Sequence, residues 1–493
     1  MLESENTTLK LDPSHRLLMP SVIAVVAVTT VFLLFSSSAF LVAALGICLT
    51  LTLVFRFEWF LYGQIFLLPW YPFLSNSFLL HDVSLRLRFL TLVGVWMIRK
   101  QEGKSVSEWF AGNRIKKGVL AFAGIATVSL LVSTLGPNQD ALISLIRLFS
   151  YLALFFAVSG WLTTREQIEK IVKVILFSGI VVALFGFCQV WANGYTDLYH
   201  YLYPVQDEGL EDWNGRITSF LFHFNSLAGY LNLVLPLALA CTILAKNSRV
   251  QQLAFASYSM GLAALYFTGS RGGLIAYGVM LLVSIPFMQP WRFALRQVLL
   301  ATTVAAIIVV VLRLPSQSEN ASASRLQQLD EFTVVSRLAL WGAAGAMFSQ
   351  RPILGVGYGN YRSFYNDYIP GIAPNQLDAH NIYLQLLSET GALGFLTFCL
   401  LMVAFARVAI ELARTSDPLP QLIGIAVGGA LVSTLTHGMV DYLFNVSPQF
   451  GALFWATMAL GVAVSQQSLK TSTGIHPQLV PLQVAGARLE ASE

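Results

Sequence analysis

Charge is scarce in this 493-residue chain, where Asp, Glu, Lys and Arg make up 11% of the residues, against roughly a quarter in an ordinary soluble domain. That shortage excludes a soluble globular protein. The 56% hydrophobic content is instead gathered in runs of about 18 or more residues, each long enough to cross a hydrocarbon core as a helix. The strict apolar/polar alternation of a membrane β-barrel is missing. Cysteine is also sparse: Cys48, Cys188, Cys241 and Cys399 lie far apart inside apolar runs, without CxxC or Cys/His spacing, which argues against a disulfide framework or a zinc site. No GxxxxGK[ST] and no GxGxxG opening a βαβ unit occurs, so nucleotide-driven chemistry has no support. The glycine-rich GVGYGNY at 355–361 follows no strand pattern and reads as a flexible loop.

What is present predicts an all-α, polytopic membrane helical bundle of about 12–14 transmembrane helices with a long outer loop containing amphipathic helices. Apolar stretches fall near 17–36, 38–55, 58–74, 84–98, 118–135, 141–162, 168–190, 219–245, 251–268, 272–289, 295–313, 381–406, 419–440 and 448–465. The first is read as a retained span, not a cleaved leader. Basic residues orient the bundle, because Lys and Arg in short loops stay cytoplasmic. The segment from Arg99 to Lys117 carries six of them, and alternation from there places both termini on the same, cytoplasmic side.

Lysine is absent from the other face. All nine lysines fall on the cytoplasmic side, whereas the outer loops hold Arg216, Arg271, Arg325, Arg337, Arg351 and Arg362. Solubilising charge alone would include some lysine. The planar arginine fork suits bidentate phosphate recognition and stays charged when partly desolvated, so the set points to phosphate or pyrophosphate. The competing reading for any one of them is a loop ion pair or a helix cap.

The richest stretch runs from Ser336 to Gly394, a polar segment followed at once by an apolar run. Within it Arg337 and Trp341, four apart, share a helix face. His380 sits where the outer loop enters the next span, preceded by Asp378 and followed by Asn381; an imidazole there accepts a proton near neutral pH, and a carboxylate beside it orients it. His437, near Asp441 in THGMVDY, repeats the idea in a supporting role. Glu389 reads as a helix-packing carboxylate. Arg271, in GSRGG at a membrane boundary, is functional by default because a charge against the bilayer is costly, and its small neighbours are expected to let a ligand approach. The aromatic and acidic loop from Trp191 to Ser219 offers either sugar-stacking rings or interfacial anchors.

The segments YFTGSRGGLIAY, SRLALWGAAGAMFSQRPILGVGYGNYRSFY and AHNIYLQLLSETGALGFLTF, in that order with a long loop before the last, resemble the O-antigen ligase/polymerase superfamily of bacterial envelope glycosyltransferases. The likeness covers roughly residues 210–445. RITSFLFHFNSLAGYL resembles a further family segment in which an arginine is followed by an asparagine-proline-asparagine turn; here His223 and Phe224 depart from it, and Arg216 and Asn225 carry over.

The resemblance implies a GT-C-like, metal- and cofactor-independent enzyme of the bacterial inner membrane. It would work on the periplasmic face, moving a glycan from an undecaprenyl pyrophosphate carrier to an acceptor hydroxyl of lipid A core or a growing glycan, with no nucleic-acid partner. Catalytic roles then fall to His380, Arg271 and Arg337, and substrate binding to Arg216, Asn225, Asp378, Asn381, Arg351, Arg362 and Trp341; Arg337, His380 and Arg271, joined by Arg216, are expected to converge on one outward-facing cavity open to lipid. The chain divides into 1–218 (first spans and loop), 219–313 (spans with GSRGG), 314–380 (large outer loop), 381–466 (last spans) and 467–493 (tail). A polymerase joining repeat units is the alternative within the family. An anion transporter is the alternative outside it, although Arg147 is the main charge inside a span and no repeat is visible.

Overall fold

The computed structural model describes residues 57–70, 88–89, 91–96, 113–134, 136–192, 216–221, 223–313, 331–368 and 378–472. The spans expected at 17–36 and 38–55, the ring-rich part of the first outer loop (195–213), Arg325 and the end of the tail lie outside these residues. Within them the regular structure is helical, with no strand.

The elements in chain order are α1 (Phe57–Leu67), α2 (Arg114–Leu131), α3 (Gln139–Trp161), α4 (Arg165–Ala192), α5 (Phe224–Leu244), α6 (Ser248–Phe267), α7 (Arg271–Ser284) and α8 (Trp291–Arg313). After the large loop begins come α9 (Glu331–Gln350) and α10 (Tyr361–Tyr368), then α11 (Ile382–Ala413), α12 (Pro418–His437), the single turn α13 (Leu443–Val446) and α14 (Pro448–Ser472). Seven of them, α3, α4, α5, α8, α11, α12 and α14, are long and apolar enough to cross a membrane. The protein is a multi-pass helical membrane bundle.

Burial sorts the spans. The apolar window of α5 is 94% buried and that of α8 17% buried, so α5 is the inner post and α8 the rim. Because α5 is apolar on every side, it needs helices all round it, and α6, α7, α12 and α14 pack against it. Asn232 ties α5 to α7 by donating from Nδ2 to the Gly273 carbonyl at 2.9 Å.

Successive helices alternate in direction, so that α2, α4, α6 and α12 end, and α3, α5, α7, α11 and α14 begin, at one end of the bundle. Cross-links between their tips establish this. The Ile217 N–H donates to the Phe267 carbonyl at 3.2 Å and the Ile382 N–H to the Gly438 carbonyl at 2.8 Å. The Thr218 N–H donates to Gln189 Oε1 at 3.0 Å.

The part of the large loop within the described residues is α9, α10, the chain between them and residues 378–381 before α11. Leu340, Ala343, Ala344 and Met347 of α9 are buried against Val356, Tyr361, Tyr365 and Ala379 in a second small core. Val335 and Leu338 stay exposed, an apolar strip suited to a membrane surface.

GVGYGNY is not flexible, contrary to the expectation from composition. Val356 to Asn360 is buried and docks onto a break in α11. At Gly391 the backbone leaves the helix (φ 61°, ψ −168°), which leaves carbonyls on the preceding turn without helical partners. The loop supplies them: the Val356 N–H donates to the Ser388 carbonyl at 2.9 Å and the Gly357 N–H to the Glu389 carbonyl at 3.0 Å. In return the Ala392 N–H donates to the Pro352 carbonyl at 2.7 Å. The loop glycines 355, 357 and 359 all have positive φ.

A side chain at Gly391 would meet the Ile353 carbonyl carbon at 2.3 Å in a backbone region that is essentially glycine-only. Gly391→Ala is therefore expected to cost about 3 kcal/mol or more, read as a lowered thermal midpoint in detergent. An unchanged midpoint would contradict the docked-loop description.

Candidate functional site

Where the helix tips meet, one buried carboxylate organises the charges. Asp441 follows α12 in a turn and is 2% exposed. Its Oδ1 accepts a hydrogen bond from the Tyr442 N–H at 2.8 Å and lies 3.3 Å from His380 Nδ1. Burial pushes this carboxyl up, but the hydrogen bond and charge of His380, with His437 and His223 near by, outweigh it and hold Asp441 well below the usual carboxylate range. An ionised carboxylate only accepts. The neutral form of His380 in this contact therefore has its proton on Nδ1 and its lone pair on Nε2.

His380 itself is held in an unusual backbone state, with φ 48°. Left-handed backbone is uncommon for residues other than glycine, although histidine tolerates it better than most, and it costs about 1 kcal/mol. The next residue, Asn381, caps α11, its Oδ1 accepting from the Tyr383 and Leu384 N–H groups at 3.0 and 3.1 Å. Its Nδ2 donates to the Met439 carbonyl at 2.9 Å, tying the His380 turn to the Asp441 turn. From the other side Trp341 Nε1 donates to the Ala379 carbonyl at 3.0 Å. The shared face of Arg337 and Trp341 is thus directed at the His380 turn, and Trp341 and Asn381 position it.

Two arginines stand beside this pair. Arg337 on α9 is half-buried. Burial of its guanidinium pushes its pKa down and Arg271 adds to that, while Asp441 opposes both; it stays protonated at neutral pH. Arg271 is the first residue of α7, whose cap Ser270 accepts from the Gly273 N–H at 3.2 Å and donates to Asn225 Oδ1 at 2.7 Å. The small neighbours of Arg271 serve packing. A side chain at Gly272 would meet Val440 at 2.7 Å and His437 at 3.1 Å, so glycine there lets α7 close onto the Asp441 turn.

Arg216 lies under the same cluster. Its Nε donates to the Thr268 carbonyl at 2.6 Å and its guanidinium carbon sits 3.1 Å from the centre of the Phe224 ring. His223 caps α5, with Nδ1 accepting from the Asn225 N–H at 3.2 Å. Burial pushes its pKa down to about 4, against the pull of Asp441, so it is neutral at pH 7.

The remaining expected site residues fall elsewhere. Asp378 does not orient His380. It accepts from Arg362 Nε at 3.0 Å and Nη2 at 2.5 Å, with Gln385 and Asn445 also donating to it, and its side chain is 1% exposed. Burial lowers the Arg362 pKa, but the paired carboxylate overcomes this and raises it. This pair ties α10 to the turn before α11. Arg351 directly follows α9, fourteen residues and thus about 21 Å from Arg337 at helical rise, and does not join the cluster. Glu389 is the packing carboxylate expected, accepting from Gln385 Nε2 at 2.8 Å and the Tyr361 N–H at 3.3 Å.

Asp441 as the partner of His380 is the residue that sequence reasoning placed too far out. The signal was present in THGMVDY, a second His and Asp at a boundary on the same face. Its distance in sequence, 61 residues from His380, hid the pairing.

A family model described as O-antigen ligase matches residues 256–399, from within α6 to the middle of α11. The match takes in Arg271, Arg337, His380 and Asn381 and stops short of His437 and Asp441. No curated protein matches the chain. Together with the two arginine motifs and the histidine motif gathered at one end of the bundle, the matched region supports the O-antigen ligase superfamily, and with it a membrane enzyme of the O-antigen ligase/polymerase type.

Proposed function

We propose that the protein is a glycosyltransferase of the O-antigen ligase type, which moves a glycan from an undecaprenyl-pyrophosphate carrier to an acceptor hydroxyl of a glycolipid such as lipid A core. The observation that carries this reading is the His380–Asp441 pair beside Arg271 and Arg337. In the reaction the acceptor oxygen attacks the anomeric carbon and the bond from that carbon to the pyrophosphate oxygen breaks. The hydroxyl proton passes to His380 Nε2, and the electron pair leaves with the carrier pyrophosphate. Asp441 stabilises the imidazolium that forms. Charge on the departing pyrophosphate is met by Arg271 and Arg337, with Arg216 behind them, so charge stabilisation is in place before the bond breaks. A single displacement of this kind inverts the anomeric configuration.

The basic loops counted from sequence support an inner-membrane location with both termini cytoplasmic and this site on the periplasmic side. Purified protein, given a lipid-pyrophosphate glycan and a glycolipid acceptor, is expected to attach one glycan per acceptor with inverted linkage, at the same rate with chelator present. No transfer would overturn the reading. A ladder of lengthening carrier-linked products would instead favour the polymerase.

A further inference from the structure

One charge inside a span has no part in this chemistry. Arg147 lies eight residues into α3, about 12 Å along the helix from its start, where an arginine is costly unless it has work to do. Its Nη1 donates to both the main-chain carbonyl and the side-chain Oδ1 of Asn445, at 3.2 and 3.1 Å. Ser144, one turn earlier, donates to the same Oδ1 at 3.3 Å. With its oxygen so engaged, Asn445 points its amide nitrogen the other way and donates to Asp378 Oδ1 at 3.3 Å.

The chain positions give this contact its meaning. Asn445 is four residues after Asp441, and Asp378 is two before His380. Besides the main-chain bond from Ile382 to Gly438 and the pair's own contact, the two turns that carry the catalytic pair are therefore joined twice through side chains. On the exposed side Asn381 donates to the Met439 carbonyl; on the buried side Asn445 bridges to Asp378. The second join is anchored in the wall of the bundle through Arg147, with Tyr151 on the same helix donating to the Phe444 carbonyl at 3.0 Å as a second tie.

We infer that Arg147 is a positioning residue: through Asn445 and Asp378 it holds the His380 and Asp441 turns in register, so that base and carboxylate meet. The kinetic part of this rests on the transferase reading above; the structural part does not. A misplacement of reacting groups by about 1 Å costs on the order of 100-fold in rate, so a loosened pair is felt in turnover before it is felt in donor binding.

Two variants, with Arg147→Lys as the rescue, and two readouts test this. Arg147→Met is expected to lower kcat about 10- to 100-fold with donor KM within about threefold, and Arg147→Lys, which keeps a donor at the same place, to recover most of it. By hydrogen exchange in detergent, amides of 378–381 and 438–447 should lose protection together in Arg147→Met while those of α5 do not. Asn445→Asp is the second variant, needed if Arg147→Met does not fold. It strengthens the bond to Arg147 but sets two carboxylates against each other, so 378–381 should loosen while 441–447 stays protected. Unchanged exchange at 378–381 in either variant overturns the inference even if the wild-type protein transfers no glycan.

Discussion

Asp441→Asn is expected to lower kcat for glycan transfer by about 100-fold or more while leaving the fold and the donor KM nearly unchanged. Asparagine fills the same volume and keeps an oxygen for the Tyr442 N–H and for His380 Nδ1, so the turn after α12 has no reason to move. What it lacks is charge. The carboxylate is held ionised by the imidazole it faces, and a neutral amide does not stabilise the imidazolium formed when His380 takes the acceptor proton. It also permits the amide nitrogen to donate to His380, which selects the tautomer with its lone pair on the wrong nitrogen. General bases contribute roughly 10²- to 10⁴-fold, and removing the carboxylate behind a catalytic histidine forfeits much of that. His380→Ala sets the lower limit. The double variant should be no slower than His380→Ala alone, since Asp441 acts only through the imidazole. A single Asp441→Asn variant within threefold of wild type would remove the pair from the mechanism.

The bundle was legible because a bilayer demands long apolar runs, and α3, α4, α5, α8, α11, α12 and α14 stand where those runs do. GVGYGNY was misread because composition records a loop's own glycines but not the acceptors waiting for its N–H groups. Those acceptors, the carbonyls of Ser388 and Glu389, exist only because α11 breaks at Gly391. Asp378 was expected to serve His380 because the two are only two residues apart in sequence. The positive φ at His380 separates the two side chains, sending Asp378 inward to Arg362 and leaving His380 to a carboxylate from another turn. The arginines show the limit most clearly. Arg337 and Arg362 have the same sequence signature, outer-loop guanidinium groups flanked by apolar helix residues, and only the fold reveals that Arg362 already holds a carboxylate.

That difference predicts opposite behaviour on substitution. Arg362→Gln leaves Asp378 buried without its cation, and breaking a buried pair from one side costs about 3–5 kcal/mol, so this variant should unfold at a lower temperature whatever its activity. Arg337→Gln should not. Burial disfavours the charge of Arg337 and, although Asp441 draws the other way, Arg271 adds to the burial, a cost that a bound anion would relieve. Removing one of them is expected to leave the ligand-free thermal midpoint unchanged or slightly higher, while kcat falls about 100- to 1,000-fold, the scale of losing one group that meets developing negative charge. Arg337→Lys should recover only part of this, because an ammonium keeps the charge but not the two-pronged geometry a pyrophosphate oxygen pair engages. Added polyprenyl pyrophosphate should raise the midpoint of the wild type and raise that of Arg337→Gln much less. If Arg337→Gln is instead as unstable as Arg362→Gln and responds to the lipid like wild type, Arg337 is a structural cation and the leaving-group role falls to Arg271 alone.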